Sequence, residues 1–179
     1  THLIKRLNEK SRQHYSLFEQ AYAKLEDYPD MSQEKCFESA LGLVLTWVNR
    51  ILFLKLLESQ LKDLNNNNDG TFLDELHIKD YDVLHDLFLK VLAKPLAERE
   101  QVLKEQFPNV PYLNSSLFEL SKLEQEFIPV SGIRLGNMTI YEHTVLKDGK
   151  GRRIAGEMST LQYLLRFLDA YDFGTEHKD

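Results

Sequence analysis

Cysteine is all but missing from this chain. Cys36 stands alone among 179 residues, so no intrachain disulfide can form and no cysteine-based zinc site exists. That usage fits a reducing compartment, and a cytoplasmic location is expected. Glycine-rich phosphate loops are missing too: there is no G-x-x-x-x-G-K-[ST] run, no G-x-G-x-x-G after a strand and no G-x-S-x-G elbow. These absences exclude the commonest nucleotide-binding and serine-hydrolase mechanisms. No signal peptide is visible behind Thr1. Basic residues are outnumbered, 22 Lys and Arg against 28 Asp and Glu, for a formal charge of −6. That balance argues against nucleic-acid binding by the whole surface but leaves room for a local basic patch.

What is present is an ordinary globular composition, 42% hydrophobic and 28% charged, on a chain long enough to bury one real core. The chain opens on Thr1 rather than Met and stops at Asp179, the pattern expected of a piece excised from a longer protein. Its most apolar stretch, Ala40 to Leu57, is at the short end for a bilayer core of ~30 Å and is interrupted by Asn49, Arg50 and Lys55. A buried core helix is expected there, and no membrane association.

The hydrophobic spacing predicts a mainly α-helical bundle. Leu3, Leu7, Phe18, Tyr22 and Leu25 mark an amphipathic helix from about Leu3 to Asp27, ended by Tyr28-Pro29-Asp30. Ser32 fits the N-cap of a second helix running to about Leu64. Phe37, Leu41, Val44, Val48, Ile51, Leu52 and Leu56 mark one of its faces. Leu43, Leu45, Trp47, Phe53, Leu54 and Leu57 cover most of the rest. A helix apolar nearly all round is expected to be the hub of the bundle, surrounded by other helices. The run Asn65 to Gly70 reads as an exposed loop. A third helix is expected over Asp80–Ala93, and a short charged one over Ala97–Phe107. Ser116 with Glu119 fits a capping box for another. Met138 to Val145 and Arg152 to Glu157 read as two strands joined by the turn Lys147–Gly151, a small hairpin appended at about residues 133–157 of a single domain spanning 1–179. Ser159 or Thr160 then caps a last helix with Leu161, Leu164, Leu165, Phe167 and Leu168 buried.

Few residues invite chemistry. Cys36 has no local base to activate it and reads as a packed thiol. Asp82, His85 and Asp86 can share one helix face near His77, but no tight metal motif such as H-E-x-x-H appears, so a solvated helix face is the plainer reading. Pro29-Asp30 with Glu34 and Lys35 has the letters of a nuclease motif at too compressed a spacing. No catalytic residue and no metal ligand is assigned. Asn49 and Arg50 are polar within an apolar helix. Either Arg50 pairs with a carboxylate or lies at the bundle's edge, or the two residues contact a ligand or a neighbouring domain. Lys147, Lys150, Arg152 and Arg153, opposed only by Asp148, form the main basic cluster. It is either a soluble charged turn or a contact to DNA phosphates.

Three segments, in order, carry a resemblance. They are Val48-Asn49-Arg50-Ile51-Leu52-Phe53-Leu54-Lys55-Leu56-Leu57-Glu58, Phe107-Pro108-Asn109-Val110-Pro111-Tyr112-Leu113-Asn114-Ser115-Ser116-Leu117-Phe118-Glu119, and Tyr163-Leu164-Leu165-Arg166-Phe167-Leu168-Asp169-Ala170-Tyr171-Asp172-Phe173. The first is similar to a helix of type IIG restriction–modification proteins, which fuse an endonuclease to an adenine-N6 DNA methyltransferase. The second resembles their "PYLNGGLFE" box, with Ser115 and Ser116 where glycines are often found. The third resembles the stretch just before the methyltransferase domain. The S-adenosylmethionine loop and the Asn-Pro-Pro-Tyr motif of that domain have no counterpart here and would be expected after Asp179.

The resemblance implies a non-catalytic helical connector. Its partners would be the nuclease and methyltransferase parts of the same chain and, through the hairpin, the DNA backbone. No cofactor is expected in this segment; S-adenosylmethionine and Mg are implied for the parent protein, a hydrolase and methyltransferase. The rival expectations are a stand-alone helical protein-interaction module, and a small metal-dependent hydrolase using His77, His85 and the nearby aspartates.

Overall fold

The computed structural model of the protein describes residues 16–64, 70–134, 136–140, 143–171 and 173. The fold is mainly helical, with six α-helices and one two-stranded antiparallel sheet among the described residues. Helix α1 spans Leu17–Glu26, and Ser16 caps it by accepting from the Glu19 amide at 3.1 Å. The expected start of this helix, with Leu3 and Leu7, lies outside the described residues. Helix α2 runs over 32 residues, Gln33–Leu64, and Ser32 caps it through the Lys35 amide, as its position predicts. The expected loop at 65–69 also lies outside the described residues.

Helix α2 is the hub around which the other helices gather, and among the described residues one stripe of it is left exposed. Cys36, Ala40, Leu43, Val44, Trp47, Ile51 and Leu54 are buried, together with Arg50, Lys55 and Glu58. On the opposite side Leu45, Leu52, Phe53 and Leu56 are 37 to 48% exposed. Phe37, Leu52 and Leu56, expected on the buried face, thus lie outside it. Both sides of the helix are apolar, so composition cannot say which one the bundle covers. The charges on α2 bear on its apolar length. Residues Gln33–Asp63 are long and apolar enough to cross a membrane by length and composition, and Arg50, Lys55 and Glu58 find their partners within this fold.

The third helix begins as α3, Tyr81–Asp86, capped by Asp80, and widens into a π-helical turn over Leu87–Leu92 that buries Leu87, Phe88, Val91 and Leu92. The expected helix at 97–107 is broken in two. A 3-10 turn at Leu96–Glu98 is followed by α4 at Gln101–Gln106, because Arg99 leaves the helical region and turns inward. Its guanidinium donates to Lys94 O at 3.1 Å and Val110 O at 2.8 Å. The capping box also moves. Ser115 caps only a 3-10 turn, Ser116–Phe118, whereas the reciprocal box is Ser121 with Glu124, opening α5 at Lys122–Glu126. Both pairs have the S-x-x-E spacing; the second wins because Glu124 is also held from α2.

Helix α5 meets α2 at Gly42, where an added Cβ would stand 2.6 Å from Leu123 Cδ1. Gly42→Val is expected to cost about 1–3 kcal/mol, the range for overpacking a close contact, read as a lower urea midpoint. An unchanged midpoint would mean that the Leu123 side chain turns aside freely and that the contact does not fix α5 on α2.

The hairpin is present with altered limits. Strand β1 is Asn137–Thr139 and β2 is Glu157–Ser159, paired Asn137 to Ser159 and Thr139 to Glu157. Thr144 and Val145, expected in the first strand, lie beyond it, and Tyr141 is outside the described residues. A second rung joins Lys147 to Arg153 around the turn Asp148–Gly151. Met138, Ile140 and Leu146 bury against Tyr163 of helix α6, Thr160–Asp169, in a small core of their own. Ser159, not Thr160, caps α6, accepting from the Gln162 amide at 3.2 Å.

Candidate functional site

The three segments singled out in the sequence meet on α2. Arg50, 1% exposed, donates through Nε to Leu117 O at 2.6 Å and through one terminal nitrogen to Glu119 O at 2.6 Å. Both carbonyls belong to the second segment. The same guanidinium forks onto Glu124, at 2.7 Å to Oε1 and 2.8 Å to Oε2, and lies over the Phe88 ring at 5.4 Å. Glu124 Oε1 also accepts from the Trp47 indole at 2.9 Å, and Oε2 from the Ser121 amide at 2.9 Å. Burial opposes the charge on Glu124, but the hydrogen bonds from Arg50 and Ser121, with the guanidinium's charge, outweigh it and hold the carboxyl below the usual glutamate range.

One turn and a half further along, Lys55 ties α2 to the third segment. Its ammonium, 4% exposed, bonds Glu58 at 2.8 Å and the Asp169 carboxylate at the end of α6. Glu58 in turn accepts the amides of Phe72 and Leu73, each at 2.8 Å. Burial works against ionisation of both groups, and the ion pair and backbone bonds prevail, lowering Glu58 and raising Lys55. A second tether, Arg166 to Glu75 at 2.7 and 2.9 Å, fixes α6 to the segment after residue 70. These are pins, not reactive groups: each donor and acceptor named here is used inside the fold.

The sequence candidates divide accordingly. Arg50 is committed to the interior, while its neighbour Asn49 is exposed within the uncovered apolar stripe. Leu45, Asn49, Leu52 and Leu56 recur at four, three and four residues, with Phe53 alongside, so they line one face over roughly 16 Å of helix. Phe53 continues that face toward Phe118, ring to ring at 5.9 Å. Lys147, Lys150, Arg152 and Arg153 gather as expected on the exposed hairpin tip. Cys36 is buried, and burial followed by the charge of Glu26 pushes its thiol up, away from the reactive thiolate.

The metal candidates do not converge. His77 Nδ1 lies 2.8 Å from Asp74, Asp86 pairs with Lys90 at 2.8 Å, and Asp82 is exposed. Among the described residues, no three His, Cys, Asp or Glu side chains are placed to hold one ion. His77 lines a shallow cavity of about 100 Å³ with Gln106, Phe107 and Asn109.

Residues 1–179 match the family described as Domain of unknown function (DUF7814). No curated protein and no solved structure matches the chain.

Proposed function

The chain belongs to the DUF7814 family, and we propose that it is a non-catalytic helical connector domain of a type II restriction–modification enzyme, holding the nuclease and methyltransferase parts in fixed relation. The observation that carries this reading is the uncovered apolar face of α2. Leu45, Leu52, Phe53 and Leu56 are exposed on a helix whose other side is pinned by Arg50, Lys55 and Glu58. Scattered exposed leucines need no explanation, but a stripe of them along a rigid helix suits a neighbouring surface. The ordered resemblance of three segments supplies the identity of the neighbours. The pins support it in a second way, since a connector must transmit geometry without yielding.

The reading frame that encodes the chain provides one test, and adjacent domains expressed as separate polypeptides provide the other. An Asn-Pro-Pro-Tyr motif in the same polypeptide is expected, and so is binding in trans that Leu52→Glu/Leu56→Glu abolishes. The substitutions themselves should change stability by no more than about 0.5 kcal/mol, as surface changes do. A frame without that motif overturns the restriction–modification assignment and favours a stand-alone interaction module, which the same apolar face also suits. Binding indifferent to the double substitution overturns α2 as the docking face.

A further inference from the structure

The hairpin tip holds four basic side chains against one acid within residues 147–153, on a chain whose formal charge is −6. Its geometry is more telling than its charge. Lys147 and Arg153 are cross-strand partners. The bonds bracketing them, Asp148 N to Arg152 O at 2.8 Å and Ile154 N to Leu146 O at 3.1 Å, make theirs a non-hydrogen-bonded pair, the kind whose side chains come closest. Leu146 and Ile154, the next residues along the two strands, pack with Met138 and Tyr163. Strand alternation therefore sends Lys147 and Arg153 to the outer face.

Asp148 orders the rest of the tip. One of its oxygens accepts the amides of Lys150 and Arg152, both at 2.9 Å, and the other takes the Arg152 guanidinium at 2.9 and 2.8 Å. Arg152 is thereby oriented while its side chain stays 73% exposed. Gly151, at φ +76°, supplies the left-handed turn residue that lets the chain reverse here. The tip is thus an ordered array of cations with no apolar side chain between Lys147 and Arg153.

We infer that this tip grips the phosphate backbone of duplex DNA without reading its sequence, with Lys147 and Arg153 as the principal contacts. The inference rests on the connector reading above and names the surface through which such a domain would touch the substrate of its neighbours. Clustered cations also draw anionic bilayers and acidic peptides, so the connector reading is what selects the duplex, and both rivals are outcomes of the test. A duplex, with one phosphate per about 1.7 Å of axis, asks only for placed cations.

The test is fluorescence anisotropy with two labelled duplexes of unrelated sequence, from about 25 to about 200 mM salt. Wild type is expected to bind both alike, with log K falling against log salt at a slope of about −3. Lys147→Ala/Arg153→Ala should flatten the slope by about 2 units, and Lys147→Arg/Arg153→Lys should restore it. Circular dichroism should be unchanged, because both residues are exposed. No binding at the lowest salt, a slope unmoved by the alanine pair, or equal binding to polyglutamate or anionic vesicles would each overturn the inference. Leu52→Glu/Leu56→Glu should bind DNA as wild type does, so the hairpin and the docking face fail or stand separately.

Discussion

Glu124→Ala is expected to cost about 3–5 kcal/mol and to lower Tm by roughly 6–20 °C. The substitution leaves the Arg50 guanidinium, 1% exposed, without its counter-charge, and strips the Trp47 indole and the Ser121 amide of their acceptor. An unpaired buried charge is among the few single-site lesions of that size. Arg50→Met combined with Glu124→Leu removes both charges and should be less damaging than the sum of the singles, with a coupling of about 2 kcal/mol. Additive singles would mean that the pair is not a unit. Chemical denaturation of the four proteins decides it.

Glu58→Ala is the second large effect, again about 3–5 kcal/mol. Here the consequence is spatially resolved. Glu58 holds the Phe72 and Leu73 amides, so hydrogen exchange at those two positions should accelerate more than at the core of α2. Uniform acceleration would show that Glu58 acts only through global stability. The acid limb follows from the same carboxylates. Glu58 and Glu124 have folded-state pKa values below their unfolded ones. Their contribution is complete above the unfolded glutamate value of about 4.3, and is lost as pH falls from there through the lower folded values. The two alanine variants should therefore show a shallower loss of stability below about pH 4 than wild type.

How far the sequence reaches depends on what each residue signals locally. Ser32 before a long apolar run marked the start of α2, and Lys147-Asp148-Gly149-Lys150-Gly151 marked the turn; both follow from local backbone preferences and both are found. The break at Arg99 was invisible, because it depends on the Val110 carbonyl, 11 residues away beyond α4, which only the folded chain brings near. The choice between Ser116–Glu119 and Ser121–Glu124 was likewise decided by Arg50, 74 residues from its carboxylate in the chain. The exposed stripe on α2 was hidden for another reason. Leucine looks the same in a core and on a docking face, so the periodicity that reveals amphipathic helices is silent when both faces are apolar. The basic tip was legible because charge clustered along the chain stays clustered on a hairpin.

The only tryptophan of the chain, Trp47, is fully buried, and its indole proton points at Glu124. The protein therefore carries an intrinsic optical probe at the joint that locks α5 to α2. Its emission should report the state of that joint before the helical signal of the whole changes. Ligand titrations and stopped-flow refolding can be followed there without a label, and a spectral shift at constant helicity would single out loosening at this one contact.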